Sequence, residues 1–209
     1  MNYRRTLSVL SATFIAGALV VSCSSSGSSH SSMTTMAAVT IPATANFNAT
    51  DVGFAQGMIP HHAQAVEMAD MAIATSTNAD VLALAKQIKS AQNPEIETMT
   101  GWLQGWGQAV PSTASMADGG HDMTNMSGMM MDGMMSDADM KRLESSTGTA
   151  FDRLWLELMI QHHEGAVRMA QDELADGKNP DAKALAQAII TSQQAEITKM
   201  NALLAALPS

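Results

Sequence analysis

The chain has 209 residues, 20 Asp and Glu against 11 Lys and Arg for a formal net charge of −9, 19 methionines and one cysteine. That length suffices for one domain or two with a buried core, and the acidic balance argues against nucleic acid as a partner. A single cysteine leaves no internal disulfide, so any soft-metal site must use thioether sulfur, imidazole or carboxylate.

The N-terminus, "MNYRRTLSVLSATFIAGALVVSC", carries Arg4 and Arg5, then an apolar run from Val9 to Val21 that is short for a spanning helix. This is the layout of a secretion signal over residues 1–22. "VVSC" resembles a bacterial lipobox, which makes Cys23 the lipidated first mature residue and the membrane attachment. The competing reading is an ordinary cleaved signal with an incidental cysteine. Residues 23–47 open with "SSSGSSHSS" and read as a flexible tether.

A first helical hairpin is expected over 48–106. Ala55, Ile59, Val66, Ala69 and Ile73 fall at three- and four-residue steps. Asn78 is placed to cap a second helix through Val81, Leu84, Ala85, Ile88 and Ile96. Pro60 and Pro94 fall inside these patterns, so each predicts a kink, unless the first helix simply starts at Pro60.

Residues 107–145 bridge to the next hairpin. Nine of the methionines lie in "SMADGGHDMTNMSGMMMDGMMSDADM", residues 115–140, among glycine and aspartate. Four glycines and no apolar periodicity predict a mobile loop. Buried methionine is ordinarily core filler, a reading that covers Met71 and Met200 but not a stretch without apolar company. Thioethers are soft, neutral donors suited to Cu(I) and Ag(I). Met123, Met126, Met129, Met130, Met131, Met134 and Met135, spaced closely in a glycine-rich chain, let two or three sulfurs meet on one ion, and His121 adds a nitrogen. A hydrophobic docking segment and an oxidation sink are the other readings.

The second hairpin, 146–209, repeats the first. A helix from about Thr149 to Asp176 should stop at Gly177, Asn179 should cap the next helix with Pro180 at its first position, and that helix should end near Leu207. "MIPHHAQAVEMA" at 58–69 matches "MIQHHEGAVRMA" at 159–170 in eight of twelve positions, and "LAKQIKSAQNPEIETMTGWL" at 84–103 aligns with "LAQAIITSQQAEITKMNALL" at 185–204 at the same offset. A gap-free repeat of this extent marks a duplicated unit. With no strand signals, the expected fold is all-α: an antiparallel four-helix bundle made of two duplicated hairpins.

On a helix, Met58, His61, Ala65 and Met68 form one stripe, as do Met159, His162, Ala166 and Met169. His62 and His163 lie on the adjoining stripe, so one histidine of each pair should look into the bundle and the other toward its shoulder. Gln92, Glu95 and Met99, with Gln193, Glu196 and Met200, share faces on the partner helices. Polar groups inside an apolar stripe need partners, and two readings stay open. Either His and Glu pair structurally, or the histidines and methionines hold copper with Glu95, Glu196, Gln92 and Gln193 as ligands or supports. Such a set suits Cu(I) and tolerates Cu(II). Histidine sites should weaken as pH falls through about 6.5, whereas thioether sites should persist.

The pattern of methionine, two histidines, alanine and methionine in two copies resembles the bacterial domain-of-unknown-function 305 family, over residues 48–207. It rests on Met58, His61, His62, Ala65, Met68, Ala69 and their second-copy equivalents. The resemblance implies a ferritin-like four-helix bundle whose hairpins face each other across a pseudo-twofold axis. It also implies an extracytoplasmic protein, with some members linked to copper. Di-iron oxidase chemistry is disfavoured, because Met58 and Met159 stand where a Glu-x-x-His motif needs glutamate. No GxSxG, HExxH or phosphate-cradling loop is present. The expectation is a lipid-anchored protein that binds or buffers copper (Cu(I), also Ag(I)) and hands it to a copper-handling partner, rather than an enzyme. The alternatives are a metal-free envelope interaction module and a metal-dependent redox enzyme.

Overall fold

In a computed structural model, which describes residues 41–112 and 132–208, five helices and no strands are present among the described residues. They are α1 (Ala49–Thr75), α2 (Ala79–Gly105), α3 (Asp137–Glu144), α4 (Gly148–Asp176) and α5 (Pro180–Ala206). Each start is written locally. Asn48 and Asp51 form a capping box, Asn78 takes the amides of Asp80 and Val81, and Asn179 caps α5 with Pro180 in its first turn. α1 runs through Pro60 and α2 through Pro94, so α1 does not begin at its proline.

The three-residue connections Ser76–Asn78 and Gly177–Asn179 make α1/α2 and α4/α5 antiparallel hairpins. α1 and α4 form the main seam between hairpins, with a smaller contact between α2 and α5. α1 and α4 are themselves antiparallel: Asp51 meets Glu173, His61 meets His162, Met68 meets Trp155 and Ser76 meets Asp152. The equivalent residues His61 and His162 therefore sit where the two copies cross. The fold is the all-α bundle expected.

Reciprocal contacts tie each hairpin to the other's turn. Asp51 of α1 accepts the amides of Lys178 and Asn179 at 3.0 and 2.8 Å. Its counterpart Asp152 of α4 accepts the Ser76 hydroxyl at 2.6 Å. The second copy has Gly177 in place of Ser76, and the Glu173 carboxyl fills the space; a Cβ on Gly177 would collide with it. Gly177 ends α4 as expected but in extended backbone, φ −65, so space rather than left-handed geometry calls for glycine there.

The apolar core is split. One cluster gathers Met68, Leu84, Ile88, Trp155, Met159 and Met200, the other Phe54, Met58, Ile59, Met99, Leu103 and Ile189. Between them lies a polar layer of histidine, glutamine and glutamate.

Two expectations about the bridge are corrected. Residues 137–144 form α3, capped by Ser136 with Asp137 and Asp139 in its first turn, so the loop ends before 137. Met135 stays in the non-helical segment before α3, but its side chain is 8% exposed and packs in the first cluster. Among the described residues no helix is long and apolar enough to cross a membrane.

Candidate metal centre

α1 and α4 supply the polar layer with histidines, and α2 and α5 supply its carboxylates and amides. His61, His62, His162 and His163 are all fully buried. The expected split, one histidine inward and one on the shoulder, is therefore wrong. Its cause is that α1 and α4 are each packed on two sides, so side chains about 100° apart both find an interior. His61 faces the other hairpin, its ring centroid 3.7 Å from that of His162. His62 faces its own hairpin, Nε2 at 2.7 Å from Glu95 Oε2, and His163 Nε2 repeats this at 2.9 Å from Glu196 Oε2. Glu196 also accepts the Gln87 amide at 2.9 Å.

These contacts assign protons. A carbonyl only accepts, so the 3.1 Å contact between His61 Nε2 and the Asp132 carbonyl places the proton on Nε2. A carboxylate does the same for His62 and His163. Nδ1 of all three, the Gln92 amide and Gln193 Oε1 have no hydrogen-bond partner among the described residues, and His162 has no side-chain partner, only the His61 backbone close by. Buried polar atoms without partners are costly, and lone-pair nitrogens in that state are what a metal ion would satisfy.

Burial, then the neighbouring His62, drives the His61 imidazole down to about 3. Burial, then His61, holds His162 well below its ordinary range. Both are thus neutral, the form that ligates. At these two rings the fold suppresses the proton competition expected as pH falls through about 6.5.

The methionines complete a symmetric arrangement. Met58, Met99 and Met169 belong to the second cluster, and Met159, Met200 and Met68, their repeat equivalents, to the first. All are fully buried except Met169, which is half-buried. Met71 is half-buried against the first cluster, as core filler would be. Among the described residues no three His, Cys, Asp or Glu groups converge to hold a metal ion by themselves.

Met134 is half-buried. Cys23, His121, Met123, Met126, Met129, Met130 and Met131 lie outside the described residues. The sequence reading missed Gln64, 4% exposed, which binds Met135 through its amide. It also missed Asp132 and Arg168. The signal for Gln64 was its mismatch with Gly165, one of four in the twelve-residue repeat.

The sequence profile described as "Domain of unknown function (DUF305)" matches residues 51–204. A DUF305 protein from Streptomyces coelicolor, described as secreted, has a solved structure 36% identical to the chain, with a TM-score of 0.64 over 75% of this chain and 92% of that one. A DUF305 fragment from Deinococcus radiodurans is 31% identical, with a TM-score of 0.65 over 77% and 98%. CopM in its Cu(II)-bound form is 32% identical, with a TM-score of 0.60 over 74% and 95%. CopM has also been solved with Cu(I), with silver and as the apo form. Among curated proteins none matches the chain.

Proposed function

The chain belongs to the DUF305 family, and on that footing we propose that it binds Cu(I), and Ag(I) by the same chemistry, outside the cytoplasm as a buffer or carrier rather than an enzyme. The observation that carries this reading is the polar layer: four fully buried imidazoles with unpartnered nitrogens, flanked on both sides by buried methionines. The copper- and silver-bound structures of CopM support it. In this reading the ion is cargo. Met58, His61, His162 and Met159 are the donors nearest the crossing of the two copies. The methionines of 115–131, with His121, take ions from solution, and Cys23 tethers the protein to a membrane through lipid. Delivery goes to a copper-handling partner.

The test is a competition titration of the full chain with Cu(I), Ag(I), Cu(II) and Zn(II). Tight uptake of Cu(I) and Ag(I) is expected, with stoichiometry reduced when Met123, Met126, Met129, Met130 and Met131 become leucine. A chain that ignores both ions at micromolar concentration refutes the reading. The His62–Glu95 and His163–Glu196 pairs favour a second reading, a metal-free interaction module whose polar layer is structural. It predicts normal folding and no uptake in the same titration.

A further inference from the structure

Residues Asp132–Met135, the chain entering α3, cross the histidine layer as a strap. Gln64 of α1 donates to the Met135 carbonyl at 3.0 Å and accepts the Met135 amide at 2.8 Å. Arg168 of α4 pairs with the Asp132 carboxylate through Nε and Nη2. Gly133 takes φ +82, and a Cβ there would stand 2.8 Å from the Gln161 carbonyl. Gly165 lies so close below that a Cβ would collide with the Asp132 carbonyl. Gln64 and Gly165 occupy one repeat position, yet each has the residue its side of the strap needs: a two-way amide on α1 and no side chain on α4.

The strap reaches only one member of the central pair. His61 gives its Nε2 proton to the Asp132 carbonyl, whereas His162 has no contact with the strap and faces the His61 backbone instead. Resting on the copper-binding reading, we infer that the Asp132–Met135 strap is a positioning element for ligation: it takes the Nε2 proton of His61 and so fixes the tautomer whose Nδ1 lone pair is free for a metal ion. Glu95 and Glu196 do the same for His62 and His163. Fixing tautomer and ring orientation from a metal-ligating histidine's far side raises affinity, and losing such a partner typically costs about 10- to 100-fold.

Gly165→Ala adds one methyl, alters no polar group and must push the strap away. Gln64→Ala removes both amide contacts and serves as the second variant. Lys89→Arg, at the exposed pair with Asp70 away from the strap, is the control. Two readouts are taken on the full chain. One is the metal-free 15N spectrum of the His61 ring; the other is Ag(I) affinity by competition. Wild type and Lys89→Arg are expected to show a single Nε2–H tautomer. Gly165→Ala and Gln64→Ala should show mixed tautomers and about 10- to 100-fold weaker Ag(I) binding. A wild-type His61 protonated on Nδ1 overturns the inference. So do strap variants that bind silver as well as wild type or better, and that result leaves the copper reading standing. A wild-type chain that takes no silver removes both.

Discussion

Acid should act on this fold through two opposed sets of buried groups, and they can be separated by difference. His61 titrates at 6.5 in the unfolded chain and about 3 in the fold, chiefly through burial. Between those values the unfolded state binds a proton that the folded state refuses, so stability falls as pH falls, by about 2 kcal/mol between pH 7 and pH 5. His162 acts in the same direction. Glu173 opposes them. Burial, then its contact with Asp51, raises its carboxyl from 4.5 to about 8, with Lys183 of α5 pulling the other way. Its contribution is full below 4.5 and is lost as pH rises toward 8, so the step from pH 7 to pH 5 restores roughly 2 kcal/mol. The wild-type profile should therefore be flatter than either set alone would make it. Urea unfolding of metal-free protein, followed through Trp155 fluorescence, resolves the parts. The stability difference between wild type and His61→Gln should shrink or reverse by about 2 kcal/mol from pH 7 to pH 5. Against Glu173→Gln the difference should move the opposite way by a similar amount. A His61→Gln difference independent of pH would mean that His61 takes up a proton inside the fold, and the buried neutral layer would then be the wrong description.

The same melts check three further expectations. Gly177→Ser alone should cost about 1–3 kcal/mol by collision with the Glu173 carboxyl and backbone carbonyl, and Glu173→Ala with Gly177→Ser, which rebuilds the Ala72 and Ser76 arrangement of the first copy, should recover the carboxyl's part of it. Ser76→Ala leaves the buried Asp152 carboxylate without its hydroxyl donor and should cost roughly 1–3 kcal/mol in urea melts. Met58→Leu with Met159→Leu keeps volume and should cost less than about 1.5 kcal/mol per site; in the copper-binding reading it still weakens Cu(I) retention, measured by chelator competition.

Much of the scaffold was legible because its signals are local. Asn78, Asn179 and Pro180 set helix starts through contacts within three residues, and the repeat made one hairpin predict the other. α3 was also written locally, in Ser136, Asp137 and Asp139, but the glycine-rich run before it drew attention away. The burial of both histidines was not legible, since it depends on α1 being packed on two faces at once. Met135 was misread because its burial comes from Gln64, 71 residues away, holding the strap down. Glu173 looks like a surface acid on α4 until Gly177 and Asp51 close around its carboxyl.

Duplication explains why the polar layer exists, and departures from duplication explain what it can do. A twofold crossing of two identical hairpins must bring His61 to His162 and give each flank the same three methionines, whatever the function. Were the symmetry complete, the two imidazoles would be equivalent, as His62 and His163 are in their contacts with Glu95 and Glu196. The strap removes that equivalence, because one chain segment can satisfy only one side of the axis. Gln64 against Gly165 and Gln87 against Ala188 are the sequence traces of this choice. Each places an extra hydrogen bond on one copy, at Met135 and at Glu196 respectively. His61 is oriented from the strap side and His162 is not, so an ion arriving at the pair meets two rings held in different ways.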